Sequence, residues 1–250
     1  KRMIEVEFVA QEQIAVLTLQ DQDPKKIHDG VLGGQIEDAC NAIKENDDLR
    51  GVVITSLIDG FLSIEPRISR PVDFRELATM TNLIADIEKP TIAAIEYGAH
   101  GEGLELVLSC DIRVASLTSL FSLPQILGGF MPSAGGTQRL PRVAGMGRAL
   151  ELMLTGRVFD SHEALMIGVI QYRQDSSAMC KALELAGKIS GHGPVAVRYL
   201  KEAVQDGVDM TLAQGLVLES DLSILLHSTA DRMEGINSFV QRRTPRYRGQ

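Results

Sequence analysis

The chain has 250 residues, 44% hydrophobic and 23% charged, with a net charge of −8 and an isoelectric point near 5.2. That acidic balance, with no Lys/Arg run wide enough to track a phosphate backbone, excludes nucleic acid as the main partner. No apolar run reaches the ~18–20 residues of a bilayer span, so no membrane role is expected.

Ile4–Val9 and Ile14–Leu19 are β-branched and apolar. They read as strands separated by the polar turn Gln11-Glu12-Gln13. From about Gly33 to Lys44 the residues Ile36, Ala39, Cys40 and Ile43 share one helical face. Short apolar strands follow at Gly51–Thr55, Thr91–Ile95, Asp111–Ala115 and Leu120–Leu123. Such runs, alternating with helices, are what a sheet covered on both faces requires. After about Pro132 the pattern turns nearly all helical. Asp160 with Glu163 reads as an N-cap and its N3 partner, and Gly168 as a stop. Ala178, Ala182, Leu185, Ala186 and Ile189 mark an amphipathic helix. Thr211 opens a long helix carrying Leu212, Leu216, Leu218, Leu222 and Leu225, and a last helix runs from about Thr229 to Gln241. The expected organisation is a βαβ-type core over residues 1–190 and a helical region over 191–250. That region carries more apolar surface than one small bundle needs, which points to oligomerisation through helices.

Cys40, Cys110 and Cys180 form neither a disulfide framework nor a zinc motif. They read as core or helix-surface thiols of a reducing compartment, and the expected location is cytoplasmic. Lys1–Glu7 turns acidic too early for a signal peptide. The five histidines show no HxH or HExxH spacing, so no metal is expected. The basic stretch Arg242–Arg248 fits either a solvated tail or a local anion-binding tail.

A glycine-rich turn, Gly101-Glu102-Gly103, joins the strand Thr91–Ile95 to a helix. Free backbone N–H groups at a helix start favour negative charge, though the glycines equally fit tight helix–strand packing. Lys89–Ile95, then Gly101–Leu106, then Cys110–Arg113, then Pro132–Leu140, then Leu154–Arg157 running on to Ala164 and Gly168, form an ordered set. With Glu234-Gly235-Ile236 and Phe239–Arg243, this set resembles the enoyl-CoA hydratase/isomerase (crotonase) family over nearly the whole chain.

The resemblance implies an α/β fold, a crotonase-like spiral of ββα units with a helical C-terminal trimerisation region. It implies an acyl-CoA or related acyl thioester as substrate, with coenzyme A as part of that substrate and no permanently bound cofactor. A homotrimer or dimer of trimers is the implied assembly. Two backbone N–H groups, of Glu102 and Ser63, match the oxyanion-hole donors that hold an enolate oxygen. Lys25, Lys26 and Ile27 match a segment that contacts coenzyme A, and Phe239 and Arg242 match positions that reach the coenzyme A of a neighbouring subunit.

The chain also departs from the pattern. Two glutamates serve as acid and base in the family's hydratases. Glu105 matches the first; the second position is Gln125, which neither takes nor gives a proton near neutral pH. Glu102 stands where a glycine is usual, and Ser63-Ile64-Glu65-Pro66 replaces a loop that usually carries glycine and aspartate. Three readings follow. Glu105 alone moves the proton, as in an isomerase; or Glu102 and Glu105, three apart on a helix, act as a pair; or the domain is a catalytically weak homologue that binds thioesters or partners in an assembly. Glu102 also fits a solvated carboxylate in a first helical turn. His100 reads as packed or solvated, since nothing orients it for a Ser63–His100 hydrolase.

Overall fold

The computed structural model describes residues 3–9, 13–20, 31–62 and 74–250. Two sheets and a set of helices make up these residues. The main sheet has six strands: β1 (Ile4–Val9), β2 (Ile14–Leu19), β3 (Gly51–Ser56), β4 (Thr91–Ile95), then β6 (Ile112–Ser116) and β9 (Tyr172–Gln174), in that spatial order. The β1–β2 pair is antiparallel and every later neighbour is parallel. A second sheet of three short strands orders β5 (Gly98–His100), β7 (Leu120–Ser122) and β8 (Phe159–Asp160).

The strand residues alternate between two cores, as the period of two demands. Ala15, Leu17, Val52, Ile54, Ala93 and Ile95 face one side. There they meet Leu32, Ile36, Cys40 and Ile43 of helix α1 (Val31–Glu45) and Met80 and Ile84 of α2 (Phe74–Ala85). Ile14, Val16, Val53, Ile92, Ala94 and Val114 face the other side, under Ala178, Ala182 and Ala186 of α7 (Ala178–Ser190). Alanines four apart keep that helix close to the sheet.

Most expected elements form near their expected bounds. The stretch past Pro132 is the exception, because it also contains β8 and β9. β9 closes the main sheet through Val114↔Tyr172. Strands of two and three residues carry no periodicity, so the helical signal around them prevails in sequence. β5 is likewise hidden, in the short stretch between β4 and the glycine-rich turn. It pairs with β7 because Gly98, at φ +131°, lacks a side chain; a Cβ there would lie 2.4 Å from the Leu120 carbonyl oxygen.

The remaining helices are α3 (Glu102–Val107), α4 (Gly136–Ala144), α5 (Met146–Thr155), α6 (Ser161–Met166), α8 (Pro194–Gly207), α9 (Leu212–His227) and α10 (Ala230–Gln241). Asp160 caps α6 by accepting from the Glu163 N–H at 2.8 Å, as its spacing predicts. Thr211 and Gln214 form a capping box on α9. Of α9's residues only Leu222 is buried, while Leu212, Leu216, Val217, Ile224 and Leu225 lie exposed. The basic tail is docked on α10: Arg243 makes a two-pronged contact with Glu234, and Asp231 accepts from the Arg248 and Gly249 N–H groups. Among the described residues no helix is long and apolar enough to cross a membrane.

Candidate active site

The chain leaves β4, forms β5 and enters α3 through Gly101, at φ +53°. α3 is packed tightly against the Gly60–Leu62 turn. A Cβ on Gly103 would lie 2.2 Å from the Gly60 oxygen and 2.7 Å from the Leu62 nitrogen, so only glycine fits. This close approach is what the second glycine of Gly101-Glu102-Gly103 provides. The next residue, Ser63, lies outside the described residues, as do Lys25, Lys26, Ile27 and the rest of the Ser63–Pro66 loop.

One turn into α3 stands Glu105, fully buried. Its Oε1 accepts from the backbone N–H groups of Ala134 at 2.8 Å and Gly136 at 2.7 Å. Its Oε2 accepts from Gln125 Nε2 at 3.2 Å. Gln125 sits in a 3₁₀ turn, Pro124–Gly128, directly after β7. The second sheet thus carries Gln125 to the α3 start: Gly101 donates its N–H to the Ser122 oxygen.

Burial pushes the Glu105 carboxyl up to about 7. The N–H groups of Gly136 and Ala134 oppose the shift, and neighbouring Glu102 adds to it. Such a carboxyl is about half ionised near neutral pH and can both take and give a proton. Glu102 is half-buried, not the solvated carboxylate that its helix position allows. Burial raises its pKa as well, against the pull of its own backbone N–H and the Gln125 amide. The structure therefore joins Glu102, Glu105 and Gln125 in one cluster. Within it the Gln125 Oε1 is buried and has no hydrogen-bond partner among the described residues.

The Pro132–Leu140 motif supplies the frame. Gly135, at φ +102°, turns the chain so that the Ala134 and Gly136 N–H groups both converge on Glu105. Gly136 must be glycine, because a Cβ would lie 2.9 Å from Glu105 Cγ and Oε1. Thr81 Oγ1 donates to the Ala134 oxygen at 2.8 Å, and Arg139 Nη1 donates to the same oxygen at 3.1 Å. Arg139 is also anchored by Asn82 at 3.0 Å. Sequence reasoning marks this motif but not its task; the glycine pair is the one signal it offers, since the contacts span about thirty residues.

His100 is oriented after all, but by a serine of the second sheet. Its Nδ1 lies 2.8 Å from Ser122 Oγ, and burial lowers its pKa. Phe239 and Arg242 close α10 in the C-terminal helices, with Phe239 85% exposed, and the structure does not bring them to the cluster. Among the described residues no group of His, Cys, Asp and Glu could hold a metal ion.

Solved structures share this architecture. The enoyl-CoA hydratase of Bacillus anthracis superposes with a TM-score of 0.91 at 30% identity, covering 100% of both chains. The mitochondrial methylglutaconyl-CoA hydratase of Mus musculus is 36% identical over 226 residues, which are 85% of this chain and 72% of that protein. The 2,3-dehydroadipyl-CoA hydratase of Escherichia coli (strain K12) is 41% identical over 162 residues, 64% of each chain. The family model for enoyl-CoA hydratase/isomerase matches residues 9–250. A match over nearly the whole chain, with the same fold beneath it, makes this protein a member of the enoyl-CoA hydratase/isomerase (crotonase) family.

Proposed function

We propose that the chain is an acyl-CoA enzyme that works through an enolate, with Glu105 as its one acid/base. The observation that carries this is the state of the Glu105 carboxyl. Oε1 is taken by two backbone N–H groups, while Oε2 faces an amide that cannot titrate. One carboxyl oxygen is left to move a proton, and burial places its affinity near neutrality. A lone proton carrier suits double-bond migration. It takes a proton from the α-carbon of a 3-enoyl thioester, the electron pair moves to the thioester oxygen, and the same proton returns to the γ-carbon.

The enolate oxygen would be held by the backbone N–H groups of Glu102 and Ser63. Burial works against full negative charge on Glu102, which lessens its repulsion of an oxyanion developing at that place. Lys25, Lys26 and Ile27, with Phe239 and Arg242 of a neighbouring copy, would bind coenzyme A. The exposed apolar faces of α9 and α10 support assembly into a trimer or a dimer of trimers, with the helical region from residue 191 as the contact. A second reading is hydration by the Glu102–Glu105 pair, favoured by the upward shift of both carboxyls.

Purified protein is incubated with crotonyl-CoA and with a 3-enoyl-CoA, and hydration and migration are followed in parallel. Migration that Glu105→Gln abolishes is the expected result. No turnover of either substrate, or full turnover by Glu105→Gln, sinks the reading.

A further inference from the structure

The residues that follow α3, Leu108–Asp111, floor an open groove of about 970 Å³ walled by α2, α4 and α8. That is the size of a small-molecule site. One wall is apolar: Leu200, Val204 and Val208 stand four apart and all three are exposed. The stripe runs on the order of 12 Å along α8 to its C-cap. The floor carries Arg113, which is only 4% exposed. Its Nε donates to the Val169 oxygen at 2.6 Å and its Nη1 to the Cys110 oxygen at 2.5 Å. Nη2 takes no hydrogen bond among the described residues, yet it is not sealed off, so it opens on the groove. No carboxylate pairs with this guanidinium among the described residues. Asp111 is close enough to act on its charge, but the Asp111 oxygens are taken by Lys201, Gln205 and Thr91. Buried charges are ordinarily paired. Arg139 also lines the groove, and its donors go to neutral acceptors on Thr81, Ala134 and Asn82. With His192 neutral, the groove sets four cations, Arg113, Arg139, Arg142 and Lys201, against Asp86, Asp111 and Asp209. In a chain of net charge −8 that is a local positive excess.

We propose that this groove is a second ligand site, for an amphiphile that carries one anionic headgroup on an aliphatic tail. The headgroup accepts from Arg113 Nη2, and the tail lies along Leu200, Val204 and Val208. A carboxylate and a phosphate ester meet the same guanidinium edge, so a fatty acid and an alkyl phosphate share this chemistry. The site is distinct from the Glu105 cluster. The turn at Gly135 lies between them: Gly135 lines the groove, while the Ala134 and Gly136 N–H groups face Glu105. Arg139 touches both, because it lines the groove and donates to the Ala134 oxygen at 3.1 Å. The inference does not depend on how Glu105 is read.

The test is calorimetric titration of the full chain with octanoate, octyl phosphate and octanol, the last having the tail without the charge. Wild type is expected to bind at least one of the two anions about 10-fold or more tightly than octanol, the worth of a charge-assisted hydrogen bond. The tighter of the two anions identifies the headgroup. Leu200→Glu sets a like charge on the exposed wall and should weaken that anion by about 10-fold or more. Arg113→Lys keeps the charge but not the guanidinium edge, and should weaken the anion while leaving octanol unchanged. Melting curves check that both variants fold; should Arg113→Lys not fold, Leu200→Glu decides alone, since its side chain packs no core. Equal binding of anion and alcohol overturns the proposal. So does an anion that Leu200→Glu binds as tightly as wild type does, because it then sits elsewhere. If wild type binds none of the three while Leu200→Glu breaks the assembly into smaller species on gel filtration, the groove takes a second copy of this chain and the proposal falls.

Discussion

Glu105 and Glu234 are the same side chain driven in opposite directions. Glu105, in the core against α4, meets backbone N–H groups and an amide, and burial lifts it to about 7. Glu234, at the surface on α10, is gripped by the two-pronged Arg243 guanidinium and the Arg246 N–H, which hold it at about 2. An arginine does lie near Glu105, but Arg139 spends its donors on Ala134, Asn82 and Thr81. The difference shows how one fold makes a carboxylate either a proton carrier or a fixed strut. Desolvation without a paired cation makes the first, and a bidentate cation in high dielectric makes the second.

The widest break of this contrast is Glu105→Gln. Removing the one acid/base is expected to lower turnover by ~10²–10⁴-fold. The same variant should raise stability above neutral pH. A carboxyl whose folded pKa lies above its unfolded one favours folding fully only below the unfolded value, about 4.5. That contribution is lost as pH rises through about 7. The gain in Glu105→Gln is therefore near zero at low pH and grows to on the order of 3 kcal/mol in mild alkali, which denaturant unfolding at several pH values would reveal. A gain that shrinks with rising pH would mean that Glu105 is ionised in a favourable site. In wild type the acid limb of kcat/KM should lie near 7, since the base must be ionised to take a proton.

Gly136→Ala comes next. Its Cβ would meet Glu105 Cγ and Oε1 at 2.9 Å, so the carboxyl must shift or the loop must open. A displacement of that size near the reacting atoms is expected to cost ~10²-fold in kcat/KM with a smaller change in KM. Wild-type rates in Gly136→Ala would show that the Ala134–Gly136 frame does not position the acid/base.

The framework is largely legible in the sequence because burial on both faces writes long apolar runs. Ile14–Leu19, Gly51–Ser56 and Thr91–Ile95 announce themselves in this way. Glu105 is legible through the family resemblance, as the match to the first of its two glutamates. What surrounds it is not, because nothing local in Ala134 or Gly136 records a carboxylate on another element. Gln125 reads from sequence only as a missing acid; that its buried Oε1 meets no donor among the described residues is a property of packing. Glu102 shows the same limit, since helix position allows a solvated carboxylate and tertiary contact with Gln125 half-buries it.

The smallest expected effect lies at the other pole. Arg243→Met removes the fork from Glu234 but leaves the Arg246 N–H in place. A carboxylate with a depressed pKa supports folding above its unfolded value and loses that support as pH falls toward the folded one. Wild type and Arg243→Met should therefore differ in melting temperature at neutral pH and converge toward about pH 2, the folded value of Glu234. The difference should be slight and should fade in high salt, because exposed ion pairs are screened. Turnover and its acid limb should not move, since the strut and the proton carrier share no partner. A shift of that limb in Arg243→Met would mean that the docked tail and the Glu105 cluster are coupled through the C-terminal helices, and the two carboxylates could no longer be treated as independent.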